Sequence, residues 1–299
     1  MVENGQLPAI RQVRYSPAAE SAGFGLEVLS FEGLRRMDPA RHRERPQRPD
    51  FHVLALVRSG RGRHTADFVD HPLGERSAVW IRPGVVHRWA DVDGVDGPLV
   101  LFEQVAFSGL GAPVEAMTDF GPPCRYIGEE DWELALAGVE LLEREHAAAV
   151  ARGSAGSRAL LGHLLAALLL RVGPPGPVWP AGAAGAAGAA GDREVFHRYR
   201  RAVEEGFAER HHVTGYAREL GYTVRTLTRA TRAASGLGAK RYLDERILLE
   251  AKRLLAHTDL PLARCGERVG FDDAANFAAF FRRLAGASPG RWREAAAGR

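Results

Sequence analysis

Residues 262–286 read LARCGERVGFDDAANFAAFFRRLAG. A short helical run with a small residue inside it, Gly266, is followed by Gly270 and a turn. A second helical run then begins at Ala274. A small residue lets two helices cross closely, and glycine suits the left-handed conformation that ends a helix. The same grammar occurs upstream. Residues 214–221, TGYARELG, carry Ala217 where the later copy has Gly266, and Gly221 where it has Gly270. Residues 222–229, YTVRTLTR, then supply the second helix, and Ser235-Gly236 matches Ala285-Gly286. One copy could be any helical hairpin. Two copies joined by a helix over 241–256 predict an all-α domain of about 100 residues with two helix-turn-helix units.

Outward from these copies, nothing after Asp192 reads as strand. The periodicity predicts helices over 193–210, 214–220, 224–235, 241–256, 262–269 and 274–284, with a short one near Arg291. This third of the chain is also where positive charge collects. Residues 192–299 hold 21 Lys and Arg against 14 Asp and Glu, whereas residues 1–191 hold 19 against 23. Excess positive charge on one domain suits a polyanion, against the plainer reading of a solvated basic surface. Residues 172–191, VGPPGPVWPAGAAGAAGAAG, have no period that could bury a face and read as a Gly/Ala/Pro linker. The expected domains are therefore 1–171, the linker 172–191, and 192–299.

Upstream of the linker, short apolar runs such as FHVLALV (51–57), AVWIR (78–82) and LVLFEQVAF (99–107) sit between Gly and Pro turn signals. Runs of that kind predict β-strands of a small barrel or sandwich. After Glu129 the pattern becomes helical. Leu134, Ala137, Leu141 and Leu142 space one helix, and SRALLGHLLAALLLRV (157–172) makes a second that is apolar on most of its surface. That helix should bury itself on the barrel or against another chain, so a homodimer through the helix pair is expected.

Here the sequence resembles a known family. Gly270-Phe271, Asp272-Asp273, Phe277 with Phe281, Arg282-Arg283, Gly286-Ala-Ser288-Pro289 and Trp292-Arg293 are similar to the signature that closes AraC/XylS-type transcription regulators. Tyr242-Leu243, Arg246, Ala251 and Leu254-Leu255 resemble the same family's linking helix. The likeness covers about 212–294. More loosely, HPLGERSAVWIRPGVVHRW (71–89) is similar to the family's sensor cupin, in which a Pro-Gly-x-x-His turn joins two barrel strands. The implied fold is an N-terminal cupin-like β-barrel with two C-terminal helices, a linker, and an all-α double helix-turn-helix domain.

The resemblance implies that Arg225, Thr228 and Arg229 of the first unit read bases, with Thr223 as N-cap and Leu227 facing inward. Each arginine could equally touch only phosphate. In the second unit the outward positions are Ala274, Ala275, Asn276, Ala278 and Ala279, and the family usually has arginine where Ala279 stands. Asn276 can still read adenine or hold a phosphate. The first unit is therefore expected to carry most specificity and the second mainly to dock. Thr231 replaces a usual buried aromatic. Arg282, Arg283, Arg291 and Arg293 are candidates for phosphate contact, which would make affinity fall steeply with salt.

His52, His64, Trp80 and His87 are the candidate effector-pocket residues of the barrel. Arg58, Arg63, Arg82 and Trp89 could serve an anionic or aromatic effector. Strand alternation puts Val79 and Ile81 opposite Trp80 and Arg82, and the sequence does not say which set points inward. A metal is not expected. Metal cupins carry His-x-His, which residues 60–67, GRGRHTAD, lack. Two cysteines, Cys124 and Cys265, exclude a disulfide framework and a multi-cysteine zinc site. No nucleophile elbow and no phosphate-cradling glycine loop is present. No signal core and no run of about 20 apolar residues points to a membrane. A cytoplasmic regulator without enzymatic activity or cofactor is expected. Its expected partners are double-stranded DNA, a small-molecule effector, a second copy and, as a further option, RNA polymerase. The competing readings are a metal-dependent cupin enzyme with an accessory DNA-binding tail, and a regulator whose barrel only dimerises.

Overall fold

A computed structural model describes residues 10–17, 23–107, 122–152, 155–173 and 186–297. The chain divides into two compact units, one holding Ile10–Gly176 and the other including Pro177–Arg299.

The first unit contains β1 (Arg11–Val13), β2 (Leu26–Ser30), α1 (Phe31–Met37), β3 (Gln47–Pro49), β4 (His52–Leu56), β5 (Gly62–Ala66) and β6 (Val69–Leu73). It continues with β7 (Ser77–Ile81), β8 (His87–Asp91), β9 (Pro98–Phe102), β10 (Cys124–Tyr126), α2 (Glu129–Arg152) and α3 (Ala155–Val172). The strands form two five-stranded sheets, ordered β1-β3-β8-β5-β6 and β10-β7-β4-β9-β2. All pairings are antiparallel except β1 with β3.

All five residues of β4 and of β7 are buried, so these strands read as continuous apolar runs rather than alternating ones. Val53, Ala55, Val79, Ile81 and Leu99 pack with Leu73, Trp89 and Val92 in the core between the sheets. The other face of the second sheet, with Leu54, Leu56, Ala78, Trp80, Val100 and Phe102, packs under α2 and α3. The question left open by alternation is thereby answered: Val79 and Ile81 face the opposing sheet, and Trp80 faces the helices.

The buried stripe of α2 differs from the expected one. Trp132, Ala135, Val139 and Leu142 are buried against the sheet and α3, whereas Leu134, Ala137 and Leu141 are exposed. Both stripes fit a helical period. The buried one carries Trp132 and so removes more apolar area from water. On α3, Leu161, Leu165, Leu168 and Leu169 are buried, while Leu160 and Leu170 remain about half exposed.

The second unit is helical among the described residues: α4 (Ala186–Gly206), α5 (Val213–Leu220), α6 (Val224–Ser235), α7 (Ala239–His257), α8 (Leu262–Arg268), α9 (Ala274–Ala285) and α10 (Pro289–Ala297). The expected helix over 193–210 begins earlier, at Ala186, and ends at Gly206. The extension takes in 186–191, AAGAAG, whose alanines are strong helix formers and whose two glycines are not. Residues 174–185 of the expected linker lie outside the described residues.

One core runs through this unit. Leu243, Ile247, Ala251 and Leu255 of α7 are buried with Tyr216, Leu227 and Ala230 of the first copy and Cys265, Phe277 and Phe281 of the second. Among the described residues, no helix is long and apolar enough to cross a membrane.

Candidate nucleic-acid interface and sensor barrel

The repeat read from the sequence is geometric as well. Helices α6 and α9 are each 12 residues long. Thr223 caps α6, its hydroxyl accepting from the Thr226 amide at 3.0 Å. Asp273 caps α9, its Oδ1 accepting from the amides of Ala275 at 2.7 Å and Asn276 at 2.8 Å. Gly236 and Gly286 end the two helices in the left-handed conformation, each amide donating to the carbonyl four residues back. The helices that precede them end beside Gly221 (φ +71°) and Gly270 (φ +86°).

On α6, Leu227 is fully buried while Arg225 and Arg229 are exposed and Thr228 is half-buried. Arg225, Thr228, Arg229, Arg232 and Ala233 line one concavity on this face. Arg232 and Ala233 are the two members that sequence reasoning missed. Thr231, in the place of the usual aromatic, is fully buried and donates its hydroxyl to the Leu227 carbonyl at 2.7 Å.

On α9, Asn276, Ala274, Ala275 and Ala279 are exposed, Ala278 is half-buried, and Phe277, Phe280 and Phe281 are buried. Arg282, Arg283 and Arg291 are exposed, with Arg283 lying 3.8 Å from Asp244 Oδ2. Arg293 departs from its expected place. Its guanidinium turns inward, donating to the carbonyls of Leu255 at 3.2 Å and Leu260 at 2.7 Å and approaching Cys265 Sγ at 3.4 Å. Those bonds close the end of α7 and hold the turn before α8, so Arg293 is a structural clasp rather than an exposed cation.

In the first unit, the four expected pocket residues do not converge. His64 Nε2 lies 3.2 Å from His87 Nδ1, and both rings approach Trp89, with centroids 4.7 and 5.9 Å away. His71, which sequence reasoning passed over, lies 6.4 Å from His64. His52 belongs elsewhere. It stacks on Phe102 at 4.8 Å and an interplanar angle of 11°, and accepts from Trp80 Nε1 at 3.4 Å. Trp80 and Phe102 pack under the helices, so His52 and Trp80 sit on the far side of the sheet from His64 and His87. The physical reason is the two-residue alternation of a strand.

Burial pushes His52 and His87 down to about 3, with Arg82 adding to the effect at His52. His64 is held well below its ordinary range by burial first, then by His87 and His71. These imidazoles are therefore neutral and can exchange hydrogen bonds at physiological pH. The Pro83–His87 turn carries the chain from β7 in one sheet to β8 in the other, and Gly84 adopts φ +80° there. Arg82 lies over the Trp80 ring at 4.7 Å, while Arg58 and Arg63 are exposed. Among the described residues, no group of three or more His, Cys, Asp or Glu is placed to hold a metal ion.

Two family models match the chain. Residues 28–165 match the AraC-like ligand binding domain, and residues 216–295 match a helix-turn-helix domain. The HTH-type transcriptional activator RhaS of Pectobacterium atrosepticum is 23% identical over 242 residues, covering 80% of this chain and 84% of that protein. RhaS of Salmonella schwarzengrund is 36% identical over 87 residues, covering 29% of this chain and 31% of that protein. Among solved structures, the DNA-binding domain of AdpA, a global transcriptional factor in complex with a target DNA, is 28% identical with a TM-score of 0.31. It covers 34% of this chain and 90% of that one.

Proposed function

Because the chain belongs to the AraC family of helix-turn-helix transcription regulators with an AraC-like ligand-binding domain, we propose that it binds specific duplex sites under the control of a small effector. The family is one of regulators rather than enzymes. DNA binding resides in its helix-turn-helix domain. Beyond that, Arg225, Thr228, Arg229 and Asn276 are assigned to base edges, and Arg282, Arg283 and Arg291 to phosphate. The assignment of domains is 1–171 for sensing and dimerisation, 172–191 as connector, and 192–299 for DNA.

One observation carries this reading. Two matched, doubly capped 12-residue helices stand on a single core and offer exposed polar residues on faces opposite their buried ones. Such helices can enter successive stretches of one major groove. The alanines of α9 supply at most contacts to thymine methyls, so α6 bears the sequence information and α9 chiefly docks.

The effector site is assigned to the part of the barrel that carries His64, His87 and Trp89, where neutral imidazoles can donate and accept. Leu134 and Leu141, seven residues apart on α2, with Leu160 and Leu170 on α3, present apolar surface for a second copy. RNA polymerase is a further partner that an activator would need.

Fluorescence anisotropy of the full chain on duplexes selected from a random pool tests the proposal. Selected sites should bind at least about a thousandfold more tightly than random duplex, in the range of specific regulators. Equal affinity for both would overturn it.

A further inference from the structure

Arg229 does not stand alone on the outer face of α6. Asp192, on α4, accepts from its Nε at 3.2 Å (Oδ1) and 3.1 Å (Oδ2), and from its Nη2 at 2.7 Å (Oδ1). The pair is lopsided. The Asp192 side chain is 13% exposed and the Arg229 side chain 65%. Asp192 stands on α4 three residues before Val195, which with Phe196 and Tyr199 of the same helix is built into the core. An ion pair between two swinging surface side chains is worth little. Here only the arginine has freedom to lose.

The geometry also divides the guanidinium. It has two donor edges, and Asp192 occupies the one formed by Nε and Nη2. The other edge, Nη1 with the second N–H of Nη2, has no hydrogen bond among the described residues, and Arg229 lines one concavity with Arg225, Thr228 and Arg232. Guanine presents O6 and N7 to a donor pair of that shape. Adenine sets an amino donor in place of O6 and would oppose it. An arginine already ordered by a carboxylate loses less rotamer entropy on binding, and loses its alternatives as well.

We infer that Asp192 is a positioning residue that fixes the fork of Arg229 toward guanine and so sets the preference at one base pair. The inference rests on the reading of α6 proposed above. A latch that only blocks Arg229 would leave the free edge without a use. It would also loosen binding to every sequence alike.

Selection from randomised duplexes by the full chain, followed by sequencing, separates these cases for wild type, D192A, D192N, R229A and the D192A/R229A double variant. R229A should flatten one G·C preference, and D192A should flatten the same position by about tenfold, within the range of a bidentate pair. On the selected site with that pair changed to A·T, D192A and wild type should bind alike. The double variant should match R229A. D192N retains an acceptor of the same shape, should fall between wild type and D192A, and decides the matter if D192A fails to fold. If R229A leaves every preference intact, the reading of α6 fails and this inference with it. If R229A flattens a position that D192A leaves sharp, Asp192 does not position and the reading of α6 stands. Tighter binding of D192A to all duplexes would overturn the inference in favour of a latch.

Discussion

A Cβ on Gly266 would stand 3.0 Å from Cγ of Phe277 and 3.1 Å from its Cβ, so α8 and α9 cross with an aromatic ring laid against bare backbone. In the first copy Ala217, also buried, takes this place. Two effects therefore oppose each other in Gly266→Ala. Alanine gains helix propensity of about 1 kcal/mol, and the crowded methyl costs about as much or more. The expected result is a loss below about 1 kcal/mol. Gly266→Val adds two further carbons with no propensity gain and should cost about 1–3 kcal/mol. Thermal unfolding of the full chain checks both. A Val variant as stable as wild type would mean the crossing has room.

Gly221 and Gly270 occupy matching positions, yet their surroundings differ. Nothing lies within 4 Å of a Cβ built on Gly221, whereas one on Gly270 would meet the Ala208 carbonyl oxygen at 2.0 Å and His211 Nε2 at 2.8 Å. His211 Nε2 in turn bonds the Val269 carbonyl at 2.7 Å. Gly221→Ala should cost only the left-handed backbone penalty of about 1–2 kcal/mol. Gly270→Ala should cost distinctly more, because backbone must move as well. Denaturant midpoints of the two variants, compared side by side, should keep that order.

The repeat was legible because its signals are local. Small residues, turn glycines and N-caps each act within a few positions, and Thr223, Asp273, Gly236 and Gly286 all do what their types suggest. The barrel faces were not legible, since β4 and β7 are buried on both sides and alternation loses its contrast. His52 was grouped with His64 for that reason. The stripe on α2 was misjudged because two apolar stripes share the helical period, and only the tertiary neighbours choose between them. Asp192 and Arg293 were illegible for a further reason. Each acts on residues 28 or more positions away in sequence, and no spacing rule reaches that far.

Arg291 and Arg293 lie two positions apart in sequence with opposite fates, which a salt titration can separate. Arg291 is exposed, and if it meets a phosphate, Arg291→Ala should lower the slope of log affinity against log salt by about one. Arg293 is spent on the Leu255 and Leu260 carbonyls. Arg293→Ala should therefore leave that slope unchanged but destabilise the fold by about 1–3 kcal/mol, the cost of stranding buried acceptors. Anisotropy at several salt concentrations and thermal unfolding give the two readings. A slope change in the Arg293 variant would place its guanidinium on DNA after all.

Acid should loosen the β-rich unit through His52. Burial, aided by Arg82, pushes this imidazole from 6.5 down to about 3. Above pH 6.5 it is neutral whether folded or unfolded and contributes no pH dependence. As pH falls from there toward 3, the unfolded chain takes a proton that folded His52 refuses, and stability drops by about 1.4 kcal/mol per pH unit. His52→Phe keeps a ring on Phe102 but gives up the bond from Trp80 Nε1. At pH 7.5 the variant should be weaker by about 1 kcal/mol, the worth of one hydrogen bond. By pH 5 the native chain has lost about 2 kcal/mol that the variant has not, so their order should invert. Urea midpoints of the transition carrying Trp80, Trp89 and Trp132 measure this directly. A difference between the two chains that stays constant from pH 7.5 to 5 would mean that folded His52 titrates as an ordinary imidazole.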